Sequence, residues 1–147
     1  MRVLFDTNVV LDVLLAREPH ARHSARLFAA VVDGALTGVL CATTVTTLHY
    51  VASKAAGSRA AAELLDILLQ LLEVAPVSGA IMLQARAGGG PDFEDSVVAV
   101  AAAADGVEVI ATRDPSGFRT ATMPVMSPEE LVTLLGIARD HIEIVPL

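Results

Sequence analysis

Short apolar runs alternate with helical patterns along nearly the whole chain, and that alternation leaves little choice of fold. Residues 2–6 read as a strand buried on both faces, Val3, Leu4 and Phe5, ended by Asp6. A short helix follows from Asn8 to Leu15 and stops at Arg17-Glu18-Pro19, because the residue before a proline disfavours helix. His20 to Val32 is amphipathic, with Ala25, Leu27, Phe28 and Val31 inward, and Asp33-Gly34 closes it. Val39 to Ala42 reads as the next strand, with Thr43 or Thr44 capping a helix to Ala56. From Ser58 to Leu72 the leucines fall at helical spacing. Val74 to Val77 is a short strand, and Ser78 caps a helix to Ala87. Asp92 caps a helix to Ala104, Val107 to Ala111 is a strand, and Pro124 to Met126 is another. Ser127-Pro128-Glu129-Glu130 has cap, first-turn proline and third-position glutamate, a strong helix start. The tail Ile142 to Val145 alternates as an edge strand does. Strands separated by helices imply a parallel sheet with right-handed crossovers. The expected fold is α/β: one domain over residues 1–147, three layers α/β/α, around a central, mainly parallel sheet of about 4–6 strands.

At 147 residues the chain can bury a core without disulfides, and the lone Cys41 suits a reducing, cytoplasmic setting. Mean hydropathy is high at +0.61. The apolar runs are nevertheless broken, by Asp66 and Gln70 and again at Asp105, well short of the roughly 20 residues of a membrane span. No membrane association is expected, and the N-terminus reads as a strand rather than a signal peptide. A net charge of −7 argues against broad electrostatic binding of nucleic acid but not against an enzyme whose metal ions supply positive charge locally. Lys54 is the single lysine, and the densest basic stretch holds Arg17, His20, Arg22, His23 and Arg26.

The chemistry lies with the acids. Asp6 ends the first apolar run, Asp92-Phe93-Glu94-Asp95 opens a helix, and Asp114 follows the fourth strand. Ligands of open α/β sheets bind at the carboxyl ends of the strands, so these clusters converge there. Gathered carboxylates repel unless a cation joins them. Asp6, Asp95 and Asp114 are the expected catalytic and metal-binding set, with Asp92 and Glu94 as supplements. Such oxygens suit Mg²⁺ or Mn²⁺, which can orient a water and steady a phosphodiester. Asn8, Thr47 and Thr112 are the expected outer hydrogen bonders, and Arg22, Arg26 and Arg113 the expected phosphate contacts. The bland alternative is that each acid merely caps a helix or starts a turn.

Leu4-Phe5-Asp6-Thr7-Asn8-Val9-Val10-Leu11-Asp12, then Asp92-Phe93-Glu94-Asp95-Ser96, then Ile110-Ala111-Thr112-Arg113-Asp114, resemble in order and spacing the PIN-domain family. The resemblance spans essentially the whole chain. It implies a Mg²⁺- or Mn²⁺-dependent endoribonuclease, in bacteria commonly the toxin of a toxin–antitoxin pair. It also implies an RNA substrate, an antitoxin partner and pairing of the chain. Leu64, Leu65, Leu68, Leu69, Leu71 and Leu72 are more apolar surface than one helix face buries, so the helices around residues 43–72 are the expected homodimer face. Asp6, Asp95 and Asp114 match the family's acidic positions, and Asn8 and Thr112 its polar ones. One position departs: where the family usually has a glutamate, this chain has Thr47, and Glu94 and Asp92, at the same helix start as Asp95, are the candidates to compensate. His49 beside it is expected to be a core or interface residue.

The rival readings come from other classes. A catalytically impaired PIN-like module would bind RNA or a partner protein without cutting, and Thr47 favours it. A dehalogenase-like phosphatase also opens on a strand ending in aspartate, but wants a second aspartate where Asn8 stands. A receiver domain needs a lysine opposite the acids, and Lys54 belongs to the wrong helix.

Overall fold

The computed structural model describes residues 1–137, so the strand expected at 142–145 lies outside the described residues. Five strands, β1 (Arg2–Phe5), β2 (Thr37–Cys41), β3 (Glu73–Ala75), β4 (Val109–Ala111) and β5 (Val125–Met126), form one sheet in the order β3-β2-β1-β4-β5. Every pairing among the described residues is parallel. β1 is central: Leu4 stands opposite Val39 on one side and Ile110 on the other. A strand paired on both edges and covered on both faces must be apolar throughout, which Val3-Leu4-Phe5 satisfies.

The helices divide by the two-residue period of that strand. Val3 and Phe5 face one layer, made by α1 (Thr7–Leu14), α2 (His20–Val32), α3 (Ala42–Ala56), α4 (Ser58–Leu71) and α7 (Pro128–Leu134). Leu4 faces the other, where α6 (Phe93–Ala104) supplies Val98, Ala99, Ala101 and Ala102, and α5 (Gly79–Gly88) adds Ile81. The three-layer α/β/α arrangement is therefore the observed one.

Caps behave largely as their residue types dictate. Ser78 accepts from the Ile81 amide at 3.3 Å and Asp92 from the Asp95 amide at 3.0 Å. Ser127 and Glu130 bond reciprocally, at 3.1 and 2.8 Å, as a capping box. The expected threonine cap of α3 is absent: Cys41 takes the cap position without a side-chain bond, and Thr43 lies inside the helix. Strand limits shift too. β2 starts at Thr37, where it meets Arg2 of β1. β3 is Glu73–Ala75 rather than residues 74–77, and Pro76 directly follows it, a residue without an amide to continue a ladder. β4 starts at Val109 because the Val107 amide bonds back to the Ala102 carbonyl at the end of α6.

Candidate active site

The carboxyl edge of β1 and β4 is organised around one hydroxyl. Thr112 Oγ1 donates to Asp6 Oδ2 at 2.7 Å and accepts from Asn8 Nδ2 and from the Asp114 amide, both at 3.1 Å. One donor and two acceptor positions are all a threonine hydroxyl has, so the node is saturated. Asn8 Nδ2 also donates to Asp6 Oδ2 at 2.9 Å, while its Oδ1 accepts the Arg113 amide at 3.1 Å. Asp6 Oδ1 accepts the Thr7 amide at 2.7 Å, so the residue caps α1 as well. Asp6 thus caps α1 and lines a cleft at the strand edge with the same side chain. Asn8 and Thr112 stand where outer hydrogen bonders were expected.

Asp6, Asp95 and Asp114 line a single cleft of about 330 Å³, together with Thr7, Asn8, Leu11, Arg17, Thr47, Asp92, Glu94 and Val98. Asp95 reaches it past Gly117, in the 3-10 turn Pro115–Phe118 that follows Asp114. A Cβ at Gly117 would fall 1.6 Å from Asp95 Oδ2, so only glycine leaves that carboxylate its place. A wider groove of about 560 Å³, lined by residues such as Leu36, Gly38, Leu72 and Val74, has Glu73 as its one ionisable side chain among the described residues.

The three acids sit in different electrostatic settings. Burial pushes the Asp6 carboxyl above its ordinary range, against the hydrogen bonds from Thr112 and Thr7 that favour its charge. Asp114 is held below the usual range by the Ser116 hydroxyl and amide. Asp95 is pushed up to about 7, first by burial, then by the charges of Asp6, Asp92, Glu94 and Asp114. The folded chain thus holds this proton more tightly than the unfolded chain, where the carboxyl titrates at its ordinary 3.8. The Asp95 contribution to metal-free stability is therefore lost as pH rises from about 4 to about 7, and is level above that. A divalent cation needs the ionised carboxylate, so apparent Mn²⁺ affinity is expected to rise over the same window. Melting curves of wild type and Asp95→Asn between about pH 5 and 8, with and without Mn²⁺, read both effects. Identical metal-free pH slopes for the two proteins would refute the assignment.

The other expected residues are distributed unevenly. Thr47 lines the cleft, but its hydroxyl donates to the Thr43 carbonyl at 3.3 Å rather than to an acid. Asp92 accepts the Asp95 amide, and Glu94 is exposed at the rim. Arg22 pairs with Glu18 at 3.2 Å on the surface, and neither it nor Arg26 lines the cleft. Arg113 Nε and Nη2 bind Asp12, the latter bond at 3.0 Å, and Asp12 is fully buried. Two residues escaped the reading of the sequence. Asp12 carried a signal, since an acid amid Val9, Val10 and Leu11 must find a cation when buried. Arg17 carried one as well, its place in the basic stretch that follows the first acidic motif, though nothing in the sequence singles it out from that stretch. His49 is exposed on α3, outside the cleft.

Among the described residues no group of three or more His, Cys, Asp or Glu side chains forms a ready-made cage for a metal ion. The donor chemistry fits Mg²⁺ or Mn²⁺ all the same. Asp95 makes no side-chain hydrogen bond among the described residues, and Asp114 leaves Oδ2 unbonded. Hard carboxylate oxygens with free lone pairs suit Mg²⁺, which binds through one or two of them and keeps several waters.

The PIN-domain family model matches residues 2–116, from β1 through the turn that carries Asp114. The chain belongs to the PIN-domain family. No curated protein sequence matches it significantly. Solved structures do. FitAcB from Neisseria gonorrhoeae aligns with a TM-score of 0.65 at 26% identity, over 86% of this chain and 98% of that one. VapC20 of Mycobacterium tuberculosis, a toxin that cleaves the sarcin–ricin loop, aligns with a TM-score of 0.63 at 15% identity, over 80% and 94%. VapBC2 from Rickettsia felis, bound to a DNA fragment from its promoter, aligns with a TM-score of 0.62 at 17% identity, over 86% and 98%. At such identities the last two speak for the PIN fold alone. No helix among the described residues of this PIN domain is long and apolar enough to cross a membrane.

Proposed function

We propose that this PIN domain is a Mg²⁺- or Mn²⁺-dependent endoribonuclease, the toxin of a toxin–antitoxin pair, acting in a reducing cytoplasm. The observation that carries the reading is the Thr112 node, which ties Asp6 to the Asp114 backbone inside the cleft that Asp95 enters. The similarity to toxin structures supports an antitoxin as its protein partner. A bound divalent ion would steady negative charge on the phosphodiester and lower the pKa of a water. Asp6 and Asp114 would hold it, and Asp95, in the first turn of α6 and lining the same cleft, would position the attacking water and accept its proton. Asn8 and Thr112 keep Asp6 oriented throughout, because they fix Oδ2 from two sides. Single-stranded or loop RNA is the expected substrate class, since its backbone can bend into a cleft at a sheet edge. We include pairing with a second copy in the proposal: Tyr50, Ile67 and Leu69 on α3 and α4 are 63%, 60% and 46% exposed. A monomer mass in light scattering at micromolar concentration rules that element out.

Thr47 favours a second reading, a PIN module that binds RNA or a partner without cutting. The test is cleavage of single-stranded and hairpin RNAs with Mn²⁺ or Mg²⁺, with and without chelator, for wild type and Thr47→Glu. Wild type should cut slowly, and chelation should stop it. Thr47→Glu adds a carboxylate to the cleft and should raise metal affinity and cleavage several-fold. No cleavage by either protein, with RNA binding intact, supports the second reading; cleavage that survives chelation refutes the metal.

A further inference from the structure

Among the described residues one basic side chain lines the cleft, and it is not one of the arginines named above as phosphate contacts. Arg17 lines the cleft with five carboxylates, those of Asp6, Asp92, Glu94, Asp95 and Asp114. The other arginines that form ion pairs are committed: Arg2 to Glu73 and Asp105, Arg22 to Glu18, Arg59 to Glu63 and Arg113 to Asp12. Arg17 makes no ion pair and no side-chain hydrogen bond among the described residues. Its backbone is nonetheless held. Ala16 adopts a left-handed φ of 49° at the end of α1, and the Arg17 amide bonds to the Asp12 carbonyl at 2.9 Å. Asp12 is in turn clamped by Arg113, the residue before Asp114. One side chain thus registers the base of Arg17 against the strand end that carries an acid of the site.

Thr47, on the same cleft, adds no further carboxylate there. An exposed guanidinium with five donors, placed beside acids that would hold a cation, is suited to a phosphate oxygen. We infer that Arg17 grips a phosphate of the substrate backbone beside the acidic set. It works as a positioning residue that draws a negatively charged strand into a cleft whose own charge repels it. The inference rests on the RNA reading above, but not on cleavage.

The test is binding of a fluorescein-labelled single-stranded RNA by anisotropy, with Ca²⁺ in place of Mn²⁺ and the oligonucleotide checked as intact on a gel. Arg17→Gln is expected to weaken binding about tenfold at low salt, the scale of one charge-assisted hydrogen bond. It should also flatten the slope of log affinity against log salt by about 0.7, one phosphate contact on a single strand. Arg17→Lys should keep the slope, and Arg22→Gln should change neither quantity. Mn²⁺ affinity of Arg17→Gln by calorimetry should equal or exceed that of wild type, since a positive charge has left the acidic cleft. Unchanged affinity and slope for Arg17→Gln would overturn the inference. So would equal weakening by Arg22→Gln, weakened Mn²⁺ binding, or no RNA binding by wild type. Wild type that binds RNA through Arg17 but never cuts it would overturn the nuclease reading and leave this one standing.

Discussion

Asp6→Asn is expected to reduce Mn²⁺-dependent RNA cleavage by at least about 10²-fold, the scale of removing one preorganised electrostatic group from an active site. The change keeps side-chain shape but removes the charge on which the proposed ion depends. It also disturbs the node: an amide nitrogen at the Oδ2 position would face Asn8 Nδ2, donor against donor, where a carboxylate now accepts at 2.9 Å. Metal-free stability should change little, because the lost hydrogen bonds are offset by relief of a carboxylate that burial disfavours. The informative contrast is therefore between melting temperatures with and without metal. Wild type should gain about 2.7 kcal/mol from an ion at 100 times its dissociation constant, and Asp6→Asn should gain almost nothing. Equal metal-induced shifts in both proteins would remove Asp6 from the metal site, whatever happened to cleavage.

Arg113→Ala is expected to destabilise the fold by about 3 kcal/mol, low in the range for breaking a buried pair because the Arg113 side chain keeps 30% exposure. Asp12 lies at 0% exposure and would be left as a buried charge without a partner. A loss of this size is a large part of the 5–15 kcal/mol that holds a typical domain. Arg113→Ala with Asp12→Leu removes both charges and should recover most of it, since replacing a buried pair with apolar groups is often close to neutral. Urea denaturation of the single and double variants measures the difference. A single variant within about 0.5 kcal/mol of wild type would show that water already satisfies Asp12. The double variant separates stability from positioning. If the clamp also sets Asp114 against Asp6, metal affinity stays low after the fold has been restored.

Much of this protein was determined by local pattern. Val3-Leu4-Phe5 could only be a strand covered on both faces, and its period of two assigns Val3 and Phe5 to one helical layer and Leu4 to the other. Asp92, Ser78 and Ser127 cap helices because a short side chain beside an unsatisfied first turn has few other uses. The convergence of Asp6 and Asp114 was legible as well, because both end strands of a parallel sheet and every such strand ends on the same edge. Contacts between elements far apart in sequence were not legible. Nothing in the order of residues says that Asp95 needs a glycine at Gly117, or that Arg113 turns inward to Asp12 rather than outward to phosphate. Nor does it show that Arg17, and not Arg22 or Arg26, stands at the cleft. Spacing along a chain sets which residues share a face. Which faces meet is decided by packing, and the direction of a long charged side chain by whichever partner the packed fold leaves within reach.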